Sequence, residues 1–283
     1  MQNLIILILG VLFYFNSMGQ KMQIYGHRGC RGLLPENTIV GFKKALDLGA
    51  DGIEWDVVVN KEKKLIISHE PYIDTLYCQY NNGKKIKNQS PKDLNIYTMG
   101  CEEINEFDCG SIFQKDFPNQ TLIKSTKPTV KDAFIAIEKY NPTILFEIKS
   151  DESVYGLFQP NPKEYAQIIK SEVEKYQYLE QLIFMSFDHN IINELHKVMP
   201  NQRYVFLVHM PKLTLESYIA ELNFIPYAIG MYYPLVNKNN INSFHEKGIK
   251  VFAWTVNNQK KGFQLEKINL DGLITDYPNL FIE

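Results

Sequence analysis

The sequence predicts a single α/β domain folded as a (β/α)8 TIM barrel, with a small insertion after the second strand and its hairpin. From residue 128 onward, strand and helix patterns alternate to the end of the 283-residue chain. This order is expected of parallel strands joined by helices. Nine strands are predicted, and one of them follows its predecessor too closely for a parallel connection. Eight barrel strands remain, and one-domain barrels are commonly of this length.

The strands and helices are predicted from hydrophobic patterns. Short apolar runs predict strands, and apolar residues recurring on one helical face predict helices. Asn37 is the predicted N-cap of the first helix, because its side chain can accept a bond from an unpaired helical N–H. The predicted strands are residues 22–25, 53–59, 65–68, 143–149, 182–187, 203–208, 228–233, 251–256 and 272–275. The predicted helices are residues 37–48, 129–140, 162–176, 190–198, 213–221, 240–247 and 259–267.

The third predicted strand returns antiparallel to the second. Only a polar turn, residues 61–64, separates them, whereas a parallel crossover needs about a dozen residues or more. A turn centred between residues 61 and 62 would pair Asp56 with Ile67 and place Glu54 opposite His69. We therefore expect this hairpin to bring His69 close to the carboxylates.

Residues 71–127 differ from the alternating segments around them. They are rich in Asn, Gly, Lys, Pro and Tyr and show little periodicity. We expect them to form an insertion that covers one face of a single domain spanning residues 21–283. A long irregular segment inside a compact domain usually serves as a lid or as a wall of a site.

Residues 1–20 resemble a secretory signal peptide. Residues 4–15 are almost wholly apolar, and no residue up to Gln20 is charged. The apolar run is shorter than the ~20 residues that span a bilayer. We expect cleavage near Gly19 or Gln20, no stable membrane span afterwards, and export to the periplasm or the medium. An uncleaved anchor is the alternative.

Export would place the four cysteines where disulfides persist. Four cysteines allow three complete pairings, and the sequence does not choose among them. Free buried thiols are the default expectation, and a bridge between Cys101 and Cys109 is the alternative. The other two cysteines are Cys30 and Cys78.

The charge balance argues against nucleic acid as a partner. The chain has 30 basic and 32 acidic residues, a formal net charge of -2, whereas proteins that bind nucleic acids usually carry a basic surplus. We expect a small-molecule substrate, and any phosphate in it is expected to be held locally.

A set of polar and aromatic residues lies at or near the predicted strand ends. In a parallel barrel these ends meet at one mouth, where barrel enzymes keep their sites. Residues two apart on a strand point to the same face, which pairs Glu54 with Asp56 and Glu147 with Lys149. The full set is His27, Arg28, Glu54, Asp56, His69, Glu147, Lys149 and Trp254.

These residue types predict phosphodiester chemistry. Three carboxylates, Glu54, Asp56 and Glu147, would repel one another unless a proton or a cation neutralised them. All-oxygen ligands suit one divalent cation, Mg²⁺ or Ca²⁺. Arg28 and Lys149 offer a planar donor fork and a point charge to a phosphate.

Two histidines complete this chemistry. His27 and His69 could act as a general acid and base, one taking a proton from the nucleophile and the other protonating the leaving oxygen. Each residue also has a structural interpretation. Glu147 and Lys149 could form a simple ion pair, and Trp254 could be packing within the barrel rather than a wall of the substrate pocket.

A set of short motifs occurs in order along the chain. They are His27-Arg28-Gly29, Pro35-Glu36-Asn37-Thr38, GADGIEWDV at residues 49–57, Ser68-His69, Phe146-Glu147-Ile148-Lys149, Trp254-Thr255-Val256-Asn257 and DGLITDYP at residues 271–278. In these motifs the chain resembles the glycerophosphodiester phosphodiesterase family from about residue 23 to its end. The similarity implies a (β/α)8 barrel with a small insertion after the second histidine, and hydrolysis of glycerophosphodiesters to sn-glycerol 3-phosphate and an alcohol.

The resemblance also implies roles for individual residues. It implies a metal held by Glu54, Asp56 and Glu147, and a general acid/base pair of His27 and His69. It further implies a phosphate site of Arg28 and Lys149, with Glu36 lining or bracing it. Glu70 departs from the family, which usually has aspartate after the second histidine. Whether water or the glycerol hydroxyl attacks first stays open.

Two other functions remain as alternatives. A related phospholipase, similar to lysophospholipase D, would need an apolar rim for acyl chains. The insertion offers few residues for such a rim, namely Ile73, Leu76, Tyr77 and Tyr80. The second alternative is a non-catalytic barrel that binds a phosphate or a glycan, although both histidines and all three carboxylates are present.

Overall fold

The protein is described here by a computed structural model, which covers residues 21–212 and 214–282. The predicted signal peptide lies outside the described residues. None of the helices in the described ranges has the length and apolar character needed to cross a bilayer. The strands are β1 (Gln23–Gly26), β2 (Gly52–Val59), β3 (Leu65–Ile67), β4 (Gln79–Tyr80), β5 (Phe107–Asp108), β6 (Thr143–Ile148), β7 (Leu182–Ser186), β8 (Arg203–Val208), β9 (Ala228–Tyr232), β10 (Lys250–Trp254) and β11 (Gly272–Thr275). The α-helices are α1 (Ile39–Asp47), α2 (Cys101–Ile104), α3 (Val130–Ile137), α4 (Pro162–Val173), α5 (His189–Val198), α6 (Leu215–Ile219), α7 (Lys238–Glu246) and α8 (Gln259–Glu266).

Within these residues, eight parallel strands close into a barrel. Their order is β1, β2, β6, β7, β8, β9, β10 and β11, and β1 pairs with both β2 and β11. The predicted (β/α)8 barrel is confirmed. Because all eight strands run the same way, their carboxyl ends form one mouth.

Alternate side chains of the barrel strands enter two apolar layers. In β2, the Trp55 ring lies between strands and helices, with its centroid 5.3 Å from that of Phe42 and 5.5 Å from that of Phe134. Glu54 and Asp56 occupy the opposite face of β2, because side chains alternate along a strand. The apolar interior of the barrel consists of Tyr25, Leu145, Ile183, Met185, Val205, Leu207, Ala228, Phe252 and Ile274.

Strand β3 returns antiparallel to β2 as predicted, but the register differs by one residue. Val57, and not Asp56, pairs with Ile67. The predicted pairing, which placed Glu54 opposite His69, is therefore wrong. His69 nevertheless reaches the same cavity as Glu54, because it follows the end of β3 on the mouth side.

The turn explains the register. The N–H of Asn60 donates to the Lys64 carbonyl over 3.0 Å, and its side-chain oxygen accepts from the N–H groups of Glu62 and Lys64. Lys63 has a φ of 58°, the left-handed conformation typical of three-residue hairpin loops. The turn is therefore centred on Glu62.

The N-cap of helix α1 lies one residue later than predicted. This residue is Thr38, whose side-chain oxygen accepts a bond from the N–H of Gly41 over 3.2 Å. Asn37 has a φ of 55°, and its side-chain amide donates to Asp56 over 2.8 Å. Asn37, the N-cap predicted from sequence, therefore contacts Asp56 of β2 and does not cap the helix.

Residues 71–127 build a small apolar core of their own. Strands β4 and β5 form a two-stranded antiparallel sheet, and the core packs against Val58 and Ile66 of the β2–β3 hairpin. The buried insertion residues of this core are Ile73, Tyr77, Cys78, Leu94, Ile96, Ile104, Phe107 and Cys109.

A disulfide joins Cys78 to Cys109 within this core. The expectation of free thiols is wrong for these two residues, and so is the alternative bridge between Cys101 and Cys109. The cause is the β4–β5 ladder, which brings the residues flanking Gln79 and Asp108 together. Cys30 and Cys101 are free.

Candidate active site

The predicted site residues meet around one cavity of about 240 Å³ at the mouth of the barrel. Glu36 and Asp56 are not among the lining residues, but each contacts residues that are. The polar lining consists of His27, Arg28, Arg31, Glu54, His69, Glu147, Lys149 and Thr255. The apolar lining consists of Met185, Phe187, Leu207, Trp254 and Ile274.

The turn after β1 presents His27 and Arg28 to the cavity. A Cβ atom at Gly26 would lie 1.9 Å from the carbonyl oxygen of Gly29, so only glycine lets the chain fold back here. Arg28 has a φ of 49°, a left-handed conformation that costs a non-glycine residue about 1–3 kcal/mol. Its N–H donates to Glu54 Oε2 over 2.7 Å. This bond ties the strained turn to the acidic strand.

His27 is oriented by a carboxylate on its Nδ1 side. Nδ1 lies 2.6 Å from Asp276 Oδ1, and Nε2 lies 3.9 Å from Glu54 Oε2. Because an ionised carboxylate only accepts, the proton is on Nδ1. Burial lowers the pKa of His27 below its usual 6.5, although Asp276 opposes this shift. A neutral imidazole held in this way can accept a proton at Nε2 near neutral pH.

Glu54, Asp56 and Glu147 form a compact acidic cluster. One oxygen of each lies within 4.8 Å of those of the other two, and the β2–β6 register sets Asp56 beside Glu147. Burial, with Asp56 and Glu147 nearby, raises the pKa of Glu54 well above its usual value. Burial would raise the pKa of Asp56 too, but Arg28 and other cations hold it well below its usual range.

This cluster has acceptor atoms for a cation. In the part of the chain that the structure describes, Glu54 Oε1 and Asp56 Oδ1 are buried without a hydrogen-bond partner. Buried polar atoms are rarely left unsatisfied. A hard divalent cation, which prefers oxygen ligands, would satisfy both atoms.

Two basic side chains partly compensate the acidic cluster. Lys149 Nζ lies 2.6 Å from Glu147 Oε1 and 3.6 Å from Asp56 Oδ1. Arg28 Nε lies 3.2 Å from Asp56 Oδ2, and its Nη1 donates to Glu36 Oε1 over 2.8 Å. Glu36 therefore braces Arg28 and keeps its guanidinium at the cavity wall.

His69 also has a carboxylate on Nδ1. Glu70 Oε1 lies 2.6 Å from this nitrogen, so the glutamate that departs from the family pattern is in contact with the histidine. Burial would raise the pKa of Glu70, but His69 and Lys127 hold it well below its usual range. Both histidines thus have Nδ1 occupied, and this leaves Nε2 for chemistry.

Residues 27–280 match the profile of the glycerophosphoryl diester phosphodiesterase family. The chain belongs to this family. It is therefore an enzyme of the phosphoric diester hydrolase class, and its matched residues span the turn after β1, the acidic cluster and the mouth of the barrel.

Individual relatives agree with this membership. A glycerophosphodiester phosphodiesterase of Caldanaerobacter subterraneus subsp. tengcongensis is 29% identical over 262 residues, which cover 93% of this chain and 97% of the relative. One from Bacillus subtilis is 26% identical over 262 residues, covering 90% of this chain and 83% of the relative.

Solved structures show the same fold. A structure from Silicibacter pomeroyi has a TM-score of 0.83 at 22% identity and covers 92% of both chains. An Oleispira antarctica phosphodiesterase, solved in complex with the product sn-glycerol-3-phosphate, has a TM-score of 0.72 at 21% identity. It covers 92% of this chain and 94% of that one.

Trp254 both packs in the barrel and lines the cavity of this phosphodiesterase. Its Nε1 donates to the Gly230 carbonyl over 3.0 Å. Its ring centroid lies 5.3 Å from that of Phe187 and 5.6 Å from that of Tyr232, whose side chain is exposed. The two interpretations offered by the sequence are therefore compatible, and a contact between Trp254 and substrate stays a prediction.

Thr255 of the cavity lining was not identified from sequence, and neither were Asp276 and the two residues that donate to it. Asp276, which orients His27, accepts from Asn257 Nδ2 over 2.6 Å and from Arg31 Nε over 3.0 Å. Asp276 and Asn257 stand in motifs that carry the family resemblance, which is the signal that could have revealed them. Nothing in the sequence distinguishes Arg31 from a surface arginine.

Replacing Asp276 by asparagine should slow this enzyme without weakening substrate binding. The amide can donate to His27 Nδ1 and so favour the wrong tautomer. For a histidine that acts as general base, an asparagine in place of the carboxylate on Nδ1 costs about 10⁴-fold in kcat. We expect a fall of this size in kcat for glycerophosphocholine, with KM unchanged.

The matched control is Asp271→Asn, because Asp271 bonds another histidine, His245, over 2.7 Å and does not line the cavity. This variant should keep the wild-type kcat. A folded Asp276→Asn enzyme with wild-type kcat would show that the His27–Asp276 contact is irrelevant to turnover.

Proposed function

We propose that the protein hydrolyses glycerophosphodiesters to sn-glycerol 3-phosphate and an alcohol, using one divalent cation and a histidine acid/base pair. One observation carries this proposal. Two histidines, each with Nδ1 on a carboxylate, lie around one cavity with a three-carboxylate cluster and two basic side chains, Arg28 and Lys149. Family membership and the product bound in the Oleispira antarctica structure support it.

Glu54, Asp56 and Glu147 would hold the cation. The all-oxygen donor set and the unpartnered buried oxygens of Glu54 and Asp56 support Mg²⁺ or Ca²⁺ rather than a metal that prefers nitrogen or sulfur ligands. When bound, such a cation polarises a phosphate oxygen and offsets negative charge on the phosphorus centre. Arg28 and Lys149 add to this effect by binding the non-bridging oxygens.

The histidines move the protons. Neutral His27 accepts a proton at Nε2 from the attacking hydroxyl, which belongs either to water or to the glycerol moiety. His69, in its imidazolium form with a proton on each nitrogen, donates the Nε2 proton to the oxygen of the leaving alcohol as the old phosphorus–oxygen bond breaks. One proton is thus taken from the attacking hydroxyl and one is given to the leaving alcohol. The product leaves as a phosphate monoester or its cyclic precursor.

The structure gives less support to the two alternatives. Of the insertion residues considered for an acyl-chain rim, Leu76 is 78% exposed, whereas Ile73 and Tyr77 are buried in the insertion core. None of the residues considered for this rim lines the cavity, which gives no support to an acyl-chain rim at its mouth. A non-catalytic barrel would not need two histidines with oriented rings.

Metal-dependent release of sn-glycerol 3-phosphate is the first expected result. The purified enzyme should release it from glycerophosphocholine and glycerophosphoethanolamine. EDTA should stop the release, and Mg²⁺ or Ca²⁺ should restore it. His27→Ala should abolish it, and His245→Ala, at a histidine remote from the cavity, should not.

Lysophosphatidylcholine assayed in parallel tests the phospholipase alternative. Faster turnover of this lipid than of glycerophosphocholine would favour that alternative. Tight binding of glycerophosphocholine without turnover, at every metal tested, would favour the non-catalytic barrel.

Cation binding should release a proton. Burial and the neighbouring Asp56 and Glu147 raise the pKa of Glu54. This shift favours a proton on the acidic cluster when no cation is bound, and a cation must displace that proton. Affinity should therefore rise with pH until the pH passes this pKa. Titration calorimetry of Mg²⁺ or Ca²⁺ in buffers of different ionisation enthalpy measures the release. Glu54→Gln should remove it, and unchanged proton release in that variant would contradict the assignment to Glu54.

We also propose that the protein is exported to the periplasm or the medium. The apolar segment at residues 4–15 and the disulfide between Cys78 and Cys109 support this location. Sequencing the amino terminus of protein recovered from its native host should give a chain that begins near Gln20. Recovery from the cytoplasm with Met1 retained and four free thiols would contradict export.

A further inference from the structure

Lys127 is a buried cation that the proposed mechanism does not use. Its side chain is only 6% exposed, and it stands at the end of the insertion. Burial lowers its pKa, although Glu70, Glu36 and Asp74 act in the opposite direction. A buried ammonium is unfavourable unless partners compensate it, so its position needs a physical reason.

A chain of contacts leads from Lys127 to the cavity. Lys127 Nζ lies 3.3 Å from the hydroxyl of Tyr77 and 5.0 Å from the centre of its ring. The Tyr77 hydroxyl donates to Glu70 Oε2 over 2.5 Å. The other oxygen of Glu70 lies 2.6 Å from His69 Nδ1. These contacts join a buried cation to a histidine that lines the active site.

Glu70 is the link that makes this chain possible. Each of its carboxylate oxygens has a different partner, His69 on one side and Tyr77 on the other. Burial and the nearby Glu36 and Glu70 raise the pKa of Tyr77 well above its usual value, so its hydroxyl keeps the proton that it donates. The glutamate that replaces the usual aspartate has the reach to contact both partners.

The insertion holds Tyr77 in place. The Tyr77 ring is buried in the insertion core, and the backbone N–H of Tyr77 donates to the Asp74 carbonyl over 3.3 Å. The next residue, Cys78, is bridged to Cys109. The charged groups that act on Glu70 or Lys127 from the surrounding elements are Arg28, Glu36, Asp56, His69 and Asp74.

We infer that two residues of the insertion, Tyr77 and Lys127, act through Glu70 as positioning residues for His69. Tyr77 fixes the second oxygen of Glu70, and Lys127 stabilises the hydroxyl and the charge of the carboxylate. Glu70 then holds His69 with its proton on Nδ1. The inference rests on the proposed function of His69 as proton donor.

The first test is Tyr77→Phe, which removes only the hydroxyl and keeps the ring. We expect kcat for glycerophosphocholine to fall about tenfold, the lower end of the range for outer-sphere partners, with KM unchanged. Tyr80→Phe is the matched control. Tyr80 belongs to the same insertion, and its hydroxyl contacts Gln89 at 3.5 Å. This control should keep the wild-type kcat.

A double-mutant cycle tests whether Tyr77 acts through Glu70. In a Glu70→Gln background, Tyr77→Phe should cause no further loss of kcat, because coupled residues are not additive. Lys127→Met should behave in the same way, and Lys127→Arg, which keeps the charge, should recover part of the rate. Losses that multiply in the double variants would overturn the inference, as would wild-type kcat in Tyr77→Phe.

A measurement without substrate separates this inference from the proposed function. Nitrogen-15 NMR of the histidine rings, with His69 assigned through His69→Gln, reports the tautomer. Wild-type His69 should carry its proton on Nδ1 when neutral, and Tyr77→Phe should show a mixture of tautomers. An unchanged tautomer would overturn the positioning role even in an active enzyme. A wild-type enzyme without turnover would refute the proposed function, and the NMR result would still decide the positioning role.

Discussion

The burial of three carboxylates in one small space is the constraint on which the site depends. At a separation of 4 Å, two like charges near a protein surface repel by about 4 kcal/mol. One oxygen each of Glu54, Asp56 and Glu147 lies within 4.8 Å of the other two, and all three residues are almost fully buried. The arrangement is possible because the positive charges of Arg28 and Lys149 lie beside the carboxylates, and because the cluster can bind a cation or a proton. The strained turn after β1 brings Arg28 to the carboxylates, and the β2–β6 register brings Lys149 to them.

His27 and His69 differ in their exposure to solvent because different parts of the fold surround them. His27 belongs to the barrel, and its partner Asp276 follows β11, which pairs with β1. His69 follows the hairpin, and its partner Glu70 is reached by Tyr77 of the insertion. The side chain of His27 is 12% exposed and that of His69 is 32% exposed. Burial favours a neutral ring in His27, as its proposed role as base requires, and the proposed proton donor, His69, has the more accessible ring.

Much of the fold and site was predictable because the relevant information is local. Alternating apolar patterns marked the strands, and polar residues at strand ends marked the mouth, since parallel strands must bring those ends together. Asp276 was not identified, because an aspartate after a strand looks the same whether it caps a helix or orients a histidine. The N-cap assignment of Asn37 failed because the residue contacts Asp56, 19 positions away.

The sequence by itself determined the barrel, the family and the types of residue at its mouth, because these follow from periodicity and from motifs of a few residues. Tertiary structure alone decided the bridge between Cys78 and Cys109, the one-residue shift of the hairpin, and the contacts of Lys127 with Tyr77. Each of these joins segments whose meeting depends on turn geometry and on packing of the insertion core. The number of residues between two partners does not reveal whether they make contact, because the chain between them folds through contacts of its own.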